Sequence, residues 1–211
     1  MEHGADANIE NKSGEFPLFL ASEQGNETIV KYLIELGKAN INKENEGEFP
    51  LYIACDQGNE TIVKYLVDHG ADINKENEDD EGKTPLFKAC EKGNETIIKY
   101  LIEHGANIHK ELESGETALF EACYQGNETI VKYLVEQGVD VKKEDNYGNT
   151  PFLTIFSNKN PNEDLVKYFI EQIKEIDINN LNSILSLYLK IVTAIYKFKF
   201  NDATKKSPVV V

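Results

Sequence analysis

The chain has 211 residues, of which 40% are hydrophobic and 28% charged, and its formal net charge is −15. This length is typical of one domain or a small pair, and the hydrophobic content is sufficient for a core. The negative charge, together with the absence of arginine among the 22 basic residues, argues against nucleic acid or an anionic membrane as the partner.

The beginning of the chain resembles the end of a repeating unit. The segment from Gly4 to Asn8 matches the segment from Gly70 to Asn74, so residues 1–11 are interpreted as the tail of a preceding, incomplete unit. The pattern that organises the rest is Gly-Asn-Glu-Thr-Ile, which begins at Gly25, Gly58, Gly93 and Gly126. Its intervals of 33, 35 and 33 residues predict a stacked repeat protein.

The third unit predicts two helices followed by a loop. Pro85 suits the first position of a helix, and Gly93 suits the left-handed turn that ends it. Asn94 is predicted to cap a second helix, whose apolar stripe begins at Ile97. The polar loop from Ala106 to Ser114 is predicted to form a hairpin finger.

This order of elements, with Thr-Pro-Leu at the start of a unit, resembles the ankyrin repeat. The matching residues are Thr84-Pro85-Leu86, Ala89, Gly93, Ile97-Ile98, Leu101 and Gly105-Ala106-Asn107. The resemblance extends from about Gly4 to Gln172. It implies an all-α ankyrin-repeat solenoid with short β-hairpin fingers, about five repeats and a C-terminal capping helix.

The units are predicted to fill residues 12–179, beginning near residues 12, 45, 80, 113 and 146, with the last one degenerate. Residues 180–200 are predicted to form the capping helix, because a terminal repeat needs a cover for its apolar side. Residues 201–211 are predicted to be a disordered tail.

Several residues depart from the family's pattern. Aromatic residues stand where the family usually has histidine, and they are Phe19, Tyr52, Phe87 and Phe120. We therefore expect aromatic packing to replace the hydrogen bonds that the family's threonine and histidine make. Lys38 is an insertion that shifts its loop by one residue. The third finger is two residues longer, and we expect it to project Asp79 and Asp80 farthest.

The residues that could bind a metal ion or act in catalysis are not predicted to form a metal site or an active site. Cys55, Cys90 and Cys123 occupy equivalent positions about 10 Å apart, the spacing of packed helices, which is too far for a shared zinc ion. They are interpreted as buried hydrophobic residues. The run from Asn77 to Gly82 starts like a calcium loop, but Lys88 stands where the pattern needs an acid. We find no catalytic constellation or phosphate loop and predict neither enzymatic activity nor a cofactor.

Three cysteines provide no disulfide framework, and no secretory segment opens the chain, so we expect a cytoplasmic protein, with the nucleus also compatible.

The resemblance implies that finger tips and the exposed side of the first helices form the partner surface. The predicted partner-binding residues are Glu46, Glu48, Asp56, Glu78, Asp79, Asp80, Glu81, Lys83, Glu91, Glu116, Glu121, Tyr124 and Tyr147. Because most of them are acidic, and Glu44, Glu76, Glu111 and Glu113 extend the row, we predict a monomer that binds a basic protein partner. Two alternatives stay open. The protein could be a structural spacer or assembly element that uses the apolar C-terminal helix, or the face could merely be solvated.

Overall fold

The computed structural model describes residues 6–36, 38–157 and 161–176, the last four of them by backbone alone. Within these ranges the chain forms α-helices, two short 3-10 helices and no β-strand. The predicted capping helix at residues 180–200 and the predicted tail at residues 201–211 lie outside the described residues. The chain divides into two compact parts, residues 1–118 and residues 119–211.

The first part contains three pairs of helices, each pair forming one repeat unit. The helices are α1 (Pro17–Glu23), α2 (Glu27–Glu35), α3 (Pro50–Asp56), α4 (Glu60–Asp68), α5 (Pro85–Lys92) and α6 (Glu95–Glu103). The first helices of successive units pack together, α1 on α3 and α3 on α5, and the second helices do the same, α2 on α4 and α4 on α6. The units of this part are therefore stacked in chain order.

The second part contains the remaining helices. They are α7 (Ala118–Gln125), which begins at the boundary between the parts, α8 (Glu128–Glu136), α9 (Pro151–Thr154) and α10 (Glu163–Ile176). A 3-10 helix at Ile155–Ser157 follows α9 directly. The rings of Phe152 and Phe169 lie 5.7 Å apart, so α9 packs against α10.

The helices begin and end at the residues that the local sequence signals predict. A proline opens the first helix in four units, at Pro17, Pro50, Pro85 and Pro151. An asparagine caps the second helix by accepting a hydrogen bond from the backbone N–H three residues later, and these residues are Asn26, Asn59, Asn94 and Asn127. Gly93 has a φ of 72°, which confirms its left-handed turn.

Two loops in the first part each hold one antiparallel bridge, between Asn45 and Glu48 and between Asn77 and Lys83. The predicted β-hairpin fingers are thus not seen as strands in the described part of the chain. Between Asn77 and Lys83 the two additional residues of the third finger form part of a 3-10 helix, Glu78–Asp80. Asn77 caps this helix by accepting hydrogen bonds from the backbone N–H groups of Asp79 and Asp80.

Lys38 is the inserted residue in the loop between α2 and α3. Its φ is 53°, in the left-handed region. The N–H of Ala39 then donates to the carbonyl of Leu33 at 3.0 Å, as the N–H of Ala71 donates to that of Leu66 at 2.9 Å. The predicted shift of one residue is therefore confirmed, and the hydrogen bond that closes the unit is kept.

The core is formed by the first helices together with the inner faces of the second helices. Cys55, Cys90 and Cys123 are free thiols and fully buried. Burial raises the pKa of Cys55 and of Cys123, so these thiols are neutral packing groups.

The hydroxyls of Thr117 and Thr150 are buried and have no hydrogen-bond partner among the described residues. These two residues stand where the family's threonine would bond to the histidine that this chain lacks.

Candidate functional site

The third loop is held against the first helices by Asp80. The hydroxyl of Tyr52 on α3 donates a hydrogen bond to the Asp80 carboxylate. The same carboxylate pairs with Lys83 at 3.0 Å and with Lys88 at 3.3 Å. The prediction that Asp80 projects outward is therefore wrong, because three donors turn it back toward α3 and α5.

Lys88 lies at the centre of these contacts and is almost completely buried. Its ammonium group is 3.0 Å from Glu91, 3.8 Å from Asp56 and 5.2 Å from the centre of the Tyr52 ring. Burial alone would lower the pKa of Lys88, but its bond to Glu91 and the charge of Asp80 outweigh burial and raise it. Lys88 is therefore a fixed positive charge inside the predicted partner surface.

Acids and lysines balance one another in this group, which we call the Asp80 cluster. Its members are Tyr52, Asp56, Asp80, Lys83, Lys88, Glu91 and Lys92. Lys92 completes the cluster by pairing with Asp56 at 3.1 Å. Burial alone would raise the pKa of Asp80, but hydrogen bonds from Tyr52 and Lys83 outweigh it and leave the pKa lowered. Three carboxylates thus meet three ammonium groups, so this part of the predicted surface is not acidic.

An open groove beside the cluster is lined by three further acids together with Asp80. This acidic groove has a volume of about 630 Å³ and is lined by Asn45, Glu46, Glu48, Asn77, Asp79 and Asp80. Glu46, Glu48 and Asp79 form no ion pair with any described residue. The pKa of Glu48 is raised, first by burial and then by the charge of Asp56. The groove therefore holds three carboxylates without an ion pair, whereas its fourth acid, Asp80, is neutralised by Lys83 and Lys88.

The backbone at the tips of these loops is unusual. Glu46 has a φ of 48° and Glu81 has a φ of 58°, both in the left-handed region that favours glycine. Each is followed by a glycine that also has a positive φ, Gly47 at 72° and Gly82 at 75°. Two predicted binding residues are thus held in a strained conformation.

Lysines neutralise the other end of the predicted acidic row. We call these contacts the loop ladder: Lys43 pairs with Glu10 at 2.9 Å, Lys75 with Glu44 at 2.6 Å, and Lys110 with Glu76 at 2.6 Å. Each pair joins the loop of one unit to the loop before it. Glu44 and Glu76 were therefore wrongly predicted to add to an acidic row.

The remaining predicted residues are dispersed. Glu78 is the first residue of the 3-10 helix and Glu81 follows its last residue, and both are exposed. Glu116 accepts a hydrogen bond from the Ser114 hydroxyl at 3.2 Å in its own loop. In the second part, Glu121 accepts a hydrogen bond from Gln125 at 2.8 Å, and the side chains of Tyr124 and Tyr147 are exposed.

Sequence reasoning missed the roles of Tyr52, Lys88 and Lys92. The sequence pattern predicts only aromatic packing for Tyr52, and in the sequence Lys88 only breaks the pattern of a calcium loop. A signal was present: Tyr52 is the only tyrosine at its position in the units, and Lys88 is the only lysine at its own. Both contact Asp80 of the lengthened loop, so the exceptions to the repeat mark the residues that hold that loop.

The described residues contain no group of three or more His, Cys, Asp or Glu side chains arranged to hold a metal ion. None of their helices combines the length and the apolar character needed to cross a membrane.

Comparison with known proteins identifies the repeat. A family model described as ankyrin repeats (3 copies) matches three overlapping stretches, residues 1–77, 75–145 and 105–182. No curated protein matches the chain. Members of this family are all-α repeat proteins, generally non-catalytic, that serve as protein–protein interaction modules. Since the matched stretches cover most of the sequence, the chain belongs to the ankyrin-repeat family.

Proposed function

We propose that this protein is a non-catalytic recognition module that binds a basic protein partner through its finger tips and the exposed side of its first helices. The acidic groove is the observation that carries the proposal, since three of its carboxylates have no ion-pair partner among the described residues. A lysine or arginine side chain of the partner would supply the missing charge.

The state of Glu48 supports a cationic ligand. Its pKa is raised because burial and neighbouring acids disfavour the carboxylate. A positive charge placed in the groove reverses this effect, so binding and ionisation of Glu48 favour each other. The strained residue Glu46 lines the same groove, as is common at binding sites.

The Asp80 cluster has a supporting role in the proposal. It fixes the third loop on α3 and α5, so Asp79 is presented to the groove by a loop that is already ordered. A preordered loop loses little conformational entropy on binding. The exposed Tyr124 and Tyr147 are proposed as aromatic contacts that slow dissociation.

A direct test uses a short oligolysine peptide as the probe and the full chain as the protein. The variant Glu46→Gln, Glu48→Gln, Asp79→Asn removes three carboxylates from the groove. Exposed ion pairs contribute about 0.5 kcal/mol each, so we expect about a tenfold loss of affinity. The affinity of the unchanged chain should fall as salt rises, because exposed charges are screened.

A control variant distinguishes the effect of the groove on peptide affinity from the effect of net charge. The variant Glu103→Gln, Glu136→Gln, Glu171→Gln removes the same number of charges from exposed positions on second helices. It should bind the peptide almost as well as the unchanged chain. An equal loss in both variants would mean that oligolysine responds only to total charge, and the groove would then not be the site.

Protein partners can be found by pull-down with the unchanged chain beside the groove variant. For a partner that depends on the groove, the groove variant should slow association, because the charges steer the encounter. Tyr124→Ala should instead speed dissociation, since an aromatic contact acts after encounter. A partner whose association ignores both salt and the groove variant would place the interface elsewhere.

A further inference from the structure

The first helices of the first part each end in an acid at the same position of the unit. These acids are Glu23 on α1, Asp56 on α3 and Glu91 on α5. Asp56 pairs with Lys92 at 3.1 Å, and Glu91 pairs with Lys88 at 3.0 Å. Glu23 is exposed and forms no hydrogen bond or ion pair with any described residue. One acid of this row is therefore left without a cation.

The second unit lacks the lysines that neutralise the row in the third unit. Lys88 and Lys92 reach back from α5 to Asp56 on α3. In the second unit the same two positions hold Ile53, which is 5% exposed, and Gln57. The side-chain amide of Gln57 donates to Asp56 on its own helix at 3.0 Å. The second unit therefore offers no cation to the first helix before it, α1.

The same contrast holds at the start of the first helices. The residue before the N-cap is Lys83 in the third unit and Glu48 in the second. Lys83 pairs with Asp80 at 3.0 Å, whereas Glu48 forms no ion pair with a described residue. Among the units, only the third carries lysine at these three positions. The surface is thus neutralised toward α5 and remains acidic toward α1.

Glu23 lies close enough to the acidic groove to act with it. Helix α1 packs on α3, and Glu48 directly precedes the N-cap of α3, Phe49. The pKa of Glu48 is raised first by burial and then by the charge of Asp56, and the charge of Glu23 adds to this effect. A cation placed near Glu48 is therefore attracted by Glu23 as well. Glu23 continues the groove onto α1.

We propose that Glu23 is a further partner-binding residue and that the basic partner extends from the acidic groove across α1 and not across α5. This inference rests on the proposed function and gives the bound partner a direction. The partner then needs at least two cationic side chains, one for the groove and one for Glu23. Lys92 helps to set the direction, because it already occupies Asp56.

The oligolysine peptide and the full chain test the role of Glu23. Glu23→Lys should lower the affinity for the peptide by about fivefold, because it replaces an attraction between exposed charges with a repulsion. Glu103→Lys is the matched control: it changes the net charge by the same amount at an exposed position on α6. It should lower the affinity by less than about twofold. Both residues are exposed, so an unchanged melting temperature will show that the variants are folded.

Moving a lysine between units tests the direction. Gln57→Lys gives the second unit the lysine that the third unit has at Lys92, so it should pair with Glu23 and lower peptide affinity by about threefold. Gln125→Lys, the same substitution at the equivalent exposed position of the fourth unit, should have little effect. Lys92→Gln should raise the affinity by about twofold, because it frees Asp56. A lower affinity of Lys92→Gln would contradict the proposed direction.

Cross-linking locates the bound peptide. A water-soluble carbodiimide activates carboxylates and joins each to a nearby lysine amine as an amide, and mass spectrometry then identifies the modified acids. The peptide should be found on Glu23 and Glu48. If the groove variant binds as tightly as the unchanged chain, the proposed function itself fails. If the groove variant binds weakly but Glu23→Lys behaves like Glu103→Lys, or the peptide never couples to Glu23, only the extension across α1 is overturned.

Discussion

The hydroxyl of Tyr52 bonds to the carboxylate of Asp80, which lies 28 residues later in the chain. This contact joins a first helix of one unit to the loop that leads into the next. The additional residues of that loop therefore do not extend it into solvent. They allow one aspartate to reach α3 and the buried Lys88.

Removing the Tyr52 hydroxyl should loosen this loop. Tyr52→Phe keeps the packing of the ring but removes one donor to Asp80, so we expect the free energy of unfolding to fall by about 1 kcal/mol. Urea denaturation at pH 7 measures the change. Phe87→Tyr adds a hydroxyl at the equivalent position of the third unit and should give no matching gain.

The contribution of Asp80 should depend on pH. Its pKa in the folded chain is lowered from an ordinary value of 3.8, so ionised Asp80 favours the folded state. The stability that it contributes is present above about pH 4 and is lost as pH falls through the folded pKa. The difference between the unchanged chain and Asp80→Asn should therefore be largest at neutral pH. A constant difference from pH 7 to pH 2 would contradict this.

Glu48 should behave in the opposite way. Its pKa is raised above an ordinary value of 4.5, first by burial, so the carboxylate disfavours folding at neutral pH. Glu48→Gln should therefore stabilise the protein at pH 7, and the gain should vanish below about pH 4.5, where the carboxyl is protonated in both states. If the acidic groove binds a basic partner, this more stable variant should also bind it less tightly. Thermal unfolding across pH and peptide titration measure the two effects.

Two buried hydroxyls should be replaceable with a gain in stability. Thr117 and Thr150 have hydroxyls without a hydrogen-bond partner among the described residues. Valine has nearly the same shape and no polar group, so Thr117→Val and Thr150→Val should each raise the free energy of unfolding by about 1 kcal/mol. Thr84 is also a buried residue, but its hydroxyl is not one of the fully buried hydroxyls that lack a hydrogen-bond partner. Thr84→Val is therefore the control, and it should give a smaller gain or a loss.

Substitutions at two positions with a left-handed backbone should change the stability of the protein in opposite directions. Gly93 has a φ of 72°, so Gly93→Val should cost about 1–3 kcal/mol of stability through backbone strain. Glu46 has a φ of 48°, so Glu46→Gly should relieve strain of about 1 kcal/mol. Equilibrium denaturation of both variants checks the signs. An unchanged midpoint for Gly93→Val would contradict the assignment of that turn.

The helices could be predicted from the sequence because each depends on nearby residues. Pro85 sets the first turn of α5, Asn94 caps α6, and Gly93 permits the turn between them, all within ten residues. Because the units repeat, similar local signals occur in several of them. Burial of Cys90 followed in the same way, because its position recurs on the inner side of successive first helices.

The charge of the candidate site could not be predicted in the same way. Whether Asp80 points outward or inward depends on Tyr52 and Lys88, which belong to other helices. The distance between Lys75 and Glu44 depends on how closely two loops stack. A sum of charges along the sequence treats these residues as independent, whereas the fold pairs them and leaves Glu46, Glu48 and Asp79 as the acids of the groove that have no ion-pair partner among the described residues.

The loop ladder has a consequence for how such a gene can lengthen. The second unit's loop offers Glu44 to the lysine of the following loop and Lys43 to the glutamate of the preceding loop. A unit that carries both residues can be duplicated in tandem without leaving either charge unmatched. The pairing rule is thus inherited with each copy. A unit that lacks one of the two residues interrupts the ladder, as the incomplete unit at residues 1–11 does with Ile9 in place of lysine.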